Sequence, residues 1–132
     1  MENNTLLQVE GLKTHFFTRH GIAKAVDGVD LTISRGEHLG IVGESGSGKS
    51  VTALSIMRLI RNPPGRIVEG EIRFEGDELL SLSEKKMQNI RGGRISMVFQ
   101  DPINYLDPVM TMGNWVAESL SLHKGMNRQE AQ

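Results

Sequence analysis

The stretch Ile41-Val-Gly-Glu-Ser-Gly-Ser-Gly-Lys-Ser50 is a short apolar run that breaks into three glycines and ends in a lysine and a serine. Gly43 to Ser50 fits the pattern G-x-x-x-x-G-K-[ST], in which a glycine-rich loop leads into a helix. The chemistry that needs such a loop is polyphosphate binding. Backbone N–H groups must converge on an anion, so glycine is needed where a Cβ would clash or where φ must be positive. In this reading Gly43, Glu44, Ser45, Gly46, Ser47 and Gly48 supply the backbone, and Lys49 reaches the β- and γ-phosphates. The Ser50 hydroxyl coordinates Mg²⁺. Val51 stands where many such loops carry a hydroxyl residue, so only its backbone N–H can reach an α-phosphate. The helix that follows points the positive end of its dipole at the same anion.

The flanks fit that setting. His38-Leu-Gly-Ile-Val42 is short and apolar, as expected of a buried parallel strand. From Lys49 to about Ile60 the spacing is helical, with Leu54, Met57 and Leu59 or Ile60 on one face, and the prolines of Arg61-Asn-Pro-Pro-Gly-Arg66 end it. Before the loop, Leu6 to Phe17 alternates apolar and polar residues and reads as a strand. A turn follows around Gly21, then a second alternating segment with Val26, Val29, Leu31 and Ile33, and a turn at Arg35-Gly36-Glu37. After the loop, Ile67, Ile72 and Phe74 mark a third alternating segment. Ser83 caps a helix that ends near Gly92-Gly93. Arg94 to Asp101 reads as another short apolar strand, and Asn114 to about Lys124 as a helix. The chain is therefore α/β, with a β-rich arm around one strand–loop–helix unit.

The bulk properties narrow the function. With 132 residues, 38% hydrophobic, 23% charged and a net charge of −1, the chain has the profile of one globular domain or less. A near-neutral charge gives nucleic-acid binding no support. Cysteine is absent, which excludes a disulfide scaffold and is compatible with a reducing compartment. The start of the chain is polar and acidic, unlike a signal peptide. No apolar run approaches the roughly 18 residues of a membrane span. Work at a membrane would go through a partner.

Two stretches together resemble one family. Lys24 to Ser50, KAVDGVDLTISRGEHLGIVGESGSGKS, is similar to the first half of an ABC transporter ATP-binding subunit. Ile95 to Gly113, ISMVFQDPINYLDPVMTMG, is similar to the glutamine-loop region of that family. In detail both resemble the ATP-binding subunits of the dipeptide, oligopeptide and nickel importers, and the likeness runs from about Leu6 to Gln132. It implies a P-loop NTPase of the ABC ATPase type with an antiparallel β subdomain beside the P-loop core, and a helical subdomain starting at about 102–132. It implies ATP and Mg²⁺ as cofactors. By the same resemblance Phe16 stacks on the adenine ring, with Phe17 the neighbouring candidate, since a slip of one residue would exchange them. Gln100 touches Mg²⁺ and the attacking water, a task for a carboxamide because it orients water without adding charge. Residues 100–106, including Asp101, Pro102, Tyr105 and Leu106, would lie near the groove that receives a coupling helix of a transmembrane permease subunit. A second ATP-binding subunit, identical or not, would be the other partner, a solute-binding protein would act indirectly, and the location would be the cytoplasmic face of the inner membrane.

The resemblance also names parts that these residues do not supply. The family's signature motif, Walker B strand and switch histidine normally lie further along. Asp77-Glu78 follows an alternating segment rather than a four-apolar strand, Gly92-Gly93 lacks the preceding leucine-serine, and His123 comes too early, in a helix. The resemblance thus implies the amino-terminal part of a longer ATPase subunit, with residues 1–132 by themselves not competent in turnover. The alternatives are a fragment that binds nucleotide without hydrolysis and an ABC ATPase that does not act in transport. His15, His20, His38 and His123 lack metal-ligand spacing and read as solvent- or turn-facing. Met97, Met110 and Met112 read as gap-filling core residues, and Glu84, Lys85 and Lys86 as a solvated helix face.

Overall fold

A computed structural model describes residues 4–101, 107–127 and 130. The chain divides into two units, Met1–Leu82 and Ser83–Gln132.

The first unit is built on an antiparallel sheet of order β2-β1-β3-β4. β1 (Thr5–Thr18) and β2 (Gly21–Ser34) form a hairpin, and β3 (Gly65–Phe74) lies on the other side of β1. β4 (Asp77–Glu78) folds back on β3 through the tight turn Glu75-Gly76. The register places Leu7 opposite Phe74 and Ile33, and Val9 opposite Ile72 and Leu31. These cross-strand neighbours share one face, and Leu7, Val9, Ile72 and Phe74 are buried there.

Strict alternation from Val9 would turn Leu12 outward. A bulge prevents this: the register slips between Glu10 and Lys13 against β3, and between Val9 and Leu12 against β2. Gly11 takes φ 56 in the bulge, and its N–H donates to Asp30 Oδ1 at 2.6 Å. Leu12 and Thr14 then continue the buried face, both fully enclosed. Opposite the bulge, Gly70 at φ 108 comes so close to β1 that a Cβ would stand 2.6 Å from Leu12 Cα.

Helix α1 is Lys49–Ile56. The sequence predicts a helix to about Ile60, and the structure ends it earlier. Arg58 turns left-handed (φ 52), and Leu59 N–H to Leu54 O (2.8 Å) with Arg58 N–H to Ser55 O (2.9 Å) closes the end in a Schellman pattern. The Arg58 guanidinium donates to the carbonyls of Leu79 and Leu82, a tertiary anchor that local spacing does not encode. The buried face differs as well. It is Thr52 and Ser55, with Met57 just past the helix, rather than Leu54 with Leu59; Leu59 is exposed.

The two short apolar segments expected as strands, the first of them as a buried parallel strand, are not strands. Residues 37–44 and 96–99 join no ladder. Leu39 and Ile41 are exposed, Val42 is 95% exposed and Val98 is 86% exposed. A parallel strand needs neighbours to take its N–H and C=O groups, and no such ladder forms at these residues among the described ones. Their apolar character suits burial between layers and gives no alternation that would build a one-faced strand.

In the second unit, α2 (Glu84–Ile90) is capped by Ser83, whose Oγ accepts from Lys86 N–H, and buries Met87 and Ile90. Arg91 and Ile95 form an isolated bridge around Gly92-Gly93. Helix α3 (Met112–Lys124) starts at the Thr111 cap, two residues before the expected Asn114, and stops at left-handed Gly125. Met112 is 65% exposed, so it fills no core gap: as the first residue of α3 it stands on the solvent side, while Ala117 is the buried one.

Candidate functional site

The glycine loop and the start of α1 form one local structure in the first unit. Gly48 is the residue before the helix, at φ 93 and ψ 0, and no side chain caps the helix. The first intrahelical bond is Thr52 N–H to Gly48 O, 2.8 Å. The amides of Lys49, Ser50 and Val51 therefore have no partner within the helix, and they sit at the positive end of its dipole. Gly46 is also left-handed (φ 82), and Ser47 N–H to Glu44 O at 3.2 Å closes the turn before it. Gly48 is needed for space, and Gly43 faces a side chain that would have to turn away. A Cβ on Gly48 would stand 2.3 Å from the carbonyl oxygen of Ala25 in β2, and one on Gly43 would stand 2.7 Å from Ser47 Oγ.

Lys49 folds over this loop. Its Nζ donates to Gly43 O (2.8 Å), Glu44 O (2.7 Å) and Ser47 Oγ (3.1 Å). The one positive side chain of the motif is thus held at the centre of the turn by the backbone it follows. Ser45 is exposed in the turn and the Ser50 side chain is exposed at the head of α1, while Val51 is half-buried and its carbonyl accepts from Ser55 Oγ.

The two phenylalanines lie on opposite faces of β1. Phe16 shares the inner face with Thr14 and packs over Gly65: a Cβ there would meet Phe16 Cε1 at 2.8 Å and Ile60 Cγ2 at 2.7 Å. Phe17 is 42% exposed on the other face, with the Arg66 guanidinium 5.3 Å from its ring centroid. Thr14 Oγ1 meets Ser55 Oγ at 2.8 Å, so the face that carries Phe16 is the one turned to α1. A cavity of about 320 Å³ is lined by Arg58, Ile60, Asn62, Gly65, Arg66, Ile67 and Leu80, and not by Phe16. None of the loop residues 43–50 lines it.

Gln100 and Asp101 belong to the second unit, exposed, after a segment without strand structure. Residues 102–106, with Pro102, Tyr105 and Leu106, lie outside the described residues. His15 is not turned to solvent: its ring bonds Asp27 Oδ1 at 3.4 Å, beside Lys24 on the same carboxylate. Asp27 is largely exposed, and what burial it has pushes its carboxyl up. The hydrogen bonds from Lys24 and His15 outweigh this and hold it below the usual range. His123 packs against the backbone of Gly92, where a Cβ would stand within contact of its ring.

Asp77-Glu78 has a structural occupation. The Glu78 carboxylate accepts from Leu80 N–H (3.0 Å), Ser81 N–H (2.6 Å) and Ile72 N–H (3.4 Å), capping the 3-10 turn Leu79–Ser81. Partial burial raises its pKa, and those donors together bring it below 4.5. Sequence reasoning missed the Thr14–Ser55 pair and this cap. The first leaves only a faint signal, Ser55 standing three residues after Thr52 in the helical pattern, with nothing that links it to Thr14.

A glycine loop of the G-x-x-x-x-G-K-S type heading a helix, beside an antiparallel sheet, places the chain among the P-loop proteins. The family model described as ABC transporter matches residues 26–131, and the chain belongs to that family. It is 49% identical over 126 residues to a probable peptide ABC transporter ATP-binding protein of Sinorhizobium fredii, covering 96% of this chain and 38% of that one. It is 48% identical over 128 residues to the oligopeptide transport ATP-binding protein AppD of Bacillus subtilis, covering 97% of this chain and 39% of AppD. Among solved structures, the dimeric post-hydrolysis state of the ATP-binding cassette MJ0796 bound to ADP and Pi is similar, with a TM-score of 0.79 and 26% identity, over 96% of this chain and 54% of that one. The chain thus spans less than half the length of these curated relatives and about half of the cassette.

Proposed function

We propose that these residues form the nucleotide-gripping part of an ATPase subunit that couples ATP binding and hydrolysis to the import of peptides or similar small solutes. The observation that carries this reading is the loop 43–50 closing on a helix start whose first three amides have no partner within the helix. The family and the peptide-transport names of the relatives support the transport role.

Each residue has a task in this reading. The amides of Gly46 and of Gly48 to Val51 take the phosphate oxygens, and Lys49 exchanges its carbonyl partners for the β- and γ-phosphates, a stronger, charge-assisted contact. Phe16 stacks on adenine; its position on the α1 side of the sheet supports it over Phe17. Mg²⁺ would be held by Ser50, whose exposed hydroxyl offers the hard oxygen such a cation takes, and by Gln100. The ion would offset charge between the phosphates. Gln100 would orient the attacking water. A second such subunit, and permease subunits meeting the region 100–106 at the cytoplasmic face of the inner membrane, complete the assembly, with a solute-binding protein acting through the permease.

A second reading concerns turnover by these residues alone. Glu78 is engaged as a turn cap and His123 packs on Gly92, which supports binding without hydrolysis. One experiment tests both. The purified chain is titrated with Mg·ATP, and phosphate release is followed beside a Lys49→Ala control. Binding is expected, weaker by about 2–3 kcal/mol in the control, roughly 30- to 150-fold. An affinity equal to the control's would refute the site, and steady release above the control would refute the second reading.

A further inference from the structure

The first unit holds one fully enclosed polar pair that the phosphate loop does not explain. Thr14 on β1 and Ser55 on α1 are both 0% exposed, with their hydroxyl oxygens 2.8 Å apart. Ser55 Oγ also lies 2.7 Å from the carbonyl of Val51, one turn back along α1, and donates to it. A hydroxyl has one proton to give. Ser55 spends it on Val51, so Thr14 is the donor to Ser55. The pair is a directed chain: Thr14 Oγ1–H to Ser55 Oγ–H to Val51 O.

The ends of this chain are what matter. Val51 adjoins Ser50 at the head of α1, and its amide is one of the three without a helical partner. Thr14 lies two residues before Phe16 on the same face of β1. Apolar contact alone would let β1 slide along the helix at little cost, because such contact is non-directional. A buried hydroxyl bond is directional, and breaking it leaves a polar group without water.

We propose that the Thr14–Ser55–Val51 chain is a positioning device that fixes the strand carrying Phe16 against the helix carrying the phosphate loop, so that the base and phosphate ends of one nucleotide are gripped together. The proposal rests on the nucleotide reading above. Neither residue touches the ligand. Their effect is on the offset between its two ends, which ATP spans and inorganic triphosphate does not.

The test measures the preference of the chain for ATP over inorganic triphosphate by calorimetry. Thr14→Val keeps the shape and removes the donor while Ser55 keeps its bond to Val51. Its preference is expected to fall roughly five- to tenfold, the size of a coupled contact pair, with triphosphate affinity within about twofold of the unchanged chain. Thr14→Ser restores the hydroxyl and should restore the preference. Adding Ser55→Ala to Thr14→Val should lower it no further. Equal losses for both ligands in Thr14→Val would mark a merely structural pair and overturn the proposal, as would an unchanged preference. A readout independent of any variant is amide exchange in the unchanged chain. Triphosphate alone should slow exchange at residues 14–16 as well as at 49–52; slowing confined to 49–52 overturns the proposal. A chain that binds neither ligand sinks the nucleotide reading and this inference with it.

Discussion

Gly48 shows how much one residue can carry at the scale of single side chains. It is left-handed, and its Cα sits against the Ala25 carbonyl. Gly48→Ala should therefore cost twice, through the backbone angle and through the clash. The angle alone is worth about 1–2 kcal/mol, close to a tenfold loss of ATP affinity. Titration of Gly48→Ala with ATP checks this, with circular dichroism as the control for folding. Glu78 gives a prediction in pH. Its pKa is lowered in the folded chain, so its carboxylate adds stability that is fully present above about pH 4.5 and is lost as the pH falls through the lower folded value. Glu78→Gln should melt below the unchanged chain at pH 7, and the gap between the two melting temperatures should narrow as the pH is taken progressively below 4.5. A gap that does not narrow at all as the pH falls below 4.5 would mean that the charge is not what caps the turn. The motif residues at this scale were all legible in the sequence, because G-x-x-x-x-G-K-S specifies backbone freedom and one cation at fixed spacing. Thr14 with Ser55 was not, because the two are 41 positions apart and each alone reads as an ordinary polar residue.

At the scale of elements, the bulge at Gly11 decides which residues β1 buries. Leu7 and Val9 precede it and Leu12 and Thr14 follow it, a step of three where strict alternation would take two. Gly70 is its counterpart on β3, and Gly70→Ala would push a Cβ into the Leu12 backbone at φ 108. The expected loss is about 2–4 kcal/mol of stability, read as a shift in the urea midpoint. Gly76→Ala is the control, left-handed as well but with nothing near its missing Cβ, and should lose only the angular part. The three long antiparallel strands, the Ser83 cap and the last helix stand close to where composition and periodicity put them. The end of α1 does not, since Arg58 is turned by carbonyls more than twenty positions away.

For the whole molecule, the segments 37–44 and 96–99 have strand composition without strand pairing among the described residues. This gives a pattern that amide exchange can read. Val9, Leu12 and Ile72, buried in the sheet, should exchange slowest, and residues 39–42 and 98 within seconds to minutes at neutral pH, as expected of amides outside any ladder. Protection at 39–42 comparable to that of Val9 would mean that these residues have found a ladder. The sequence by itself determined the phosphate loop, the three long strands and the Ser83 cap, since each is written in residues a few positions apart. Only the tertiary structure decided which face of α1 is buried, where that helix stops, which phenylalanine faces it, and that the apolar run 38–42 before the loop joins no ladder among the described residues. Those outcomes depend on groups brought together from distant positions. A strand's hydrogen bonds in particular belong to its neighbours, and no local pattern can say whether the neighbours are there.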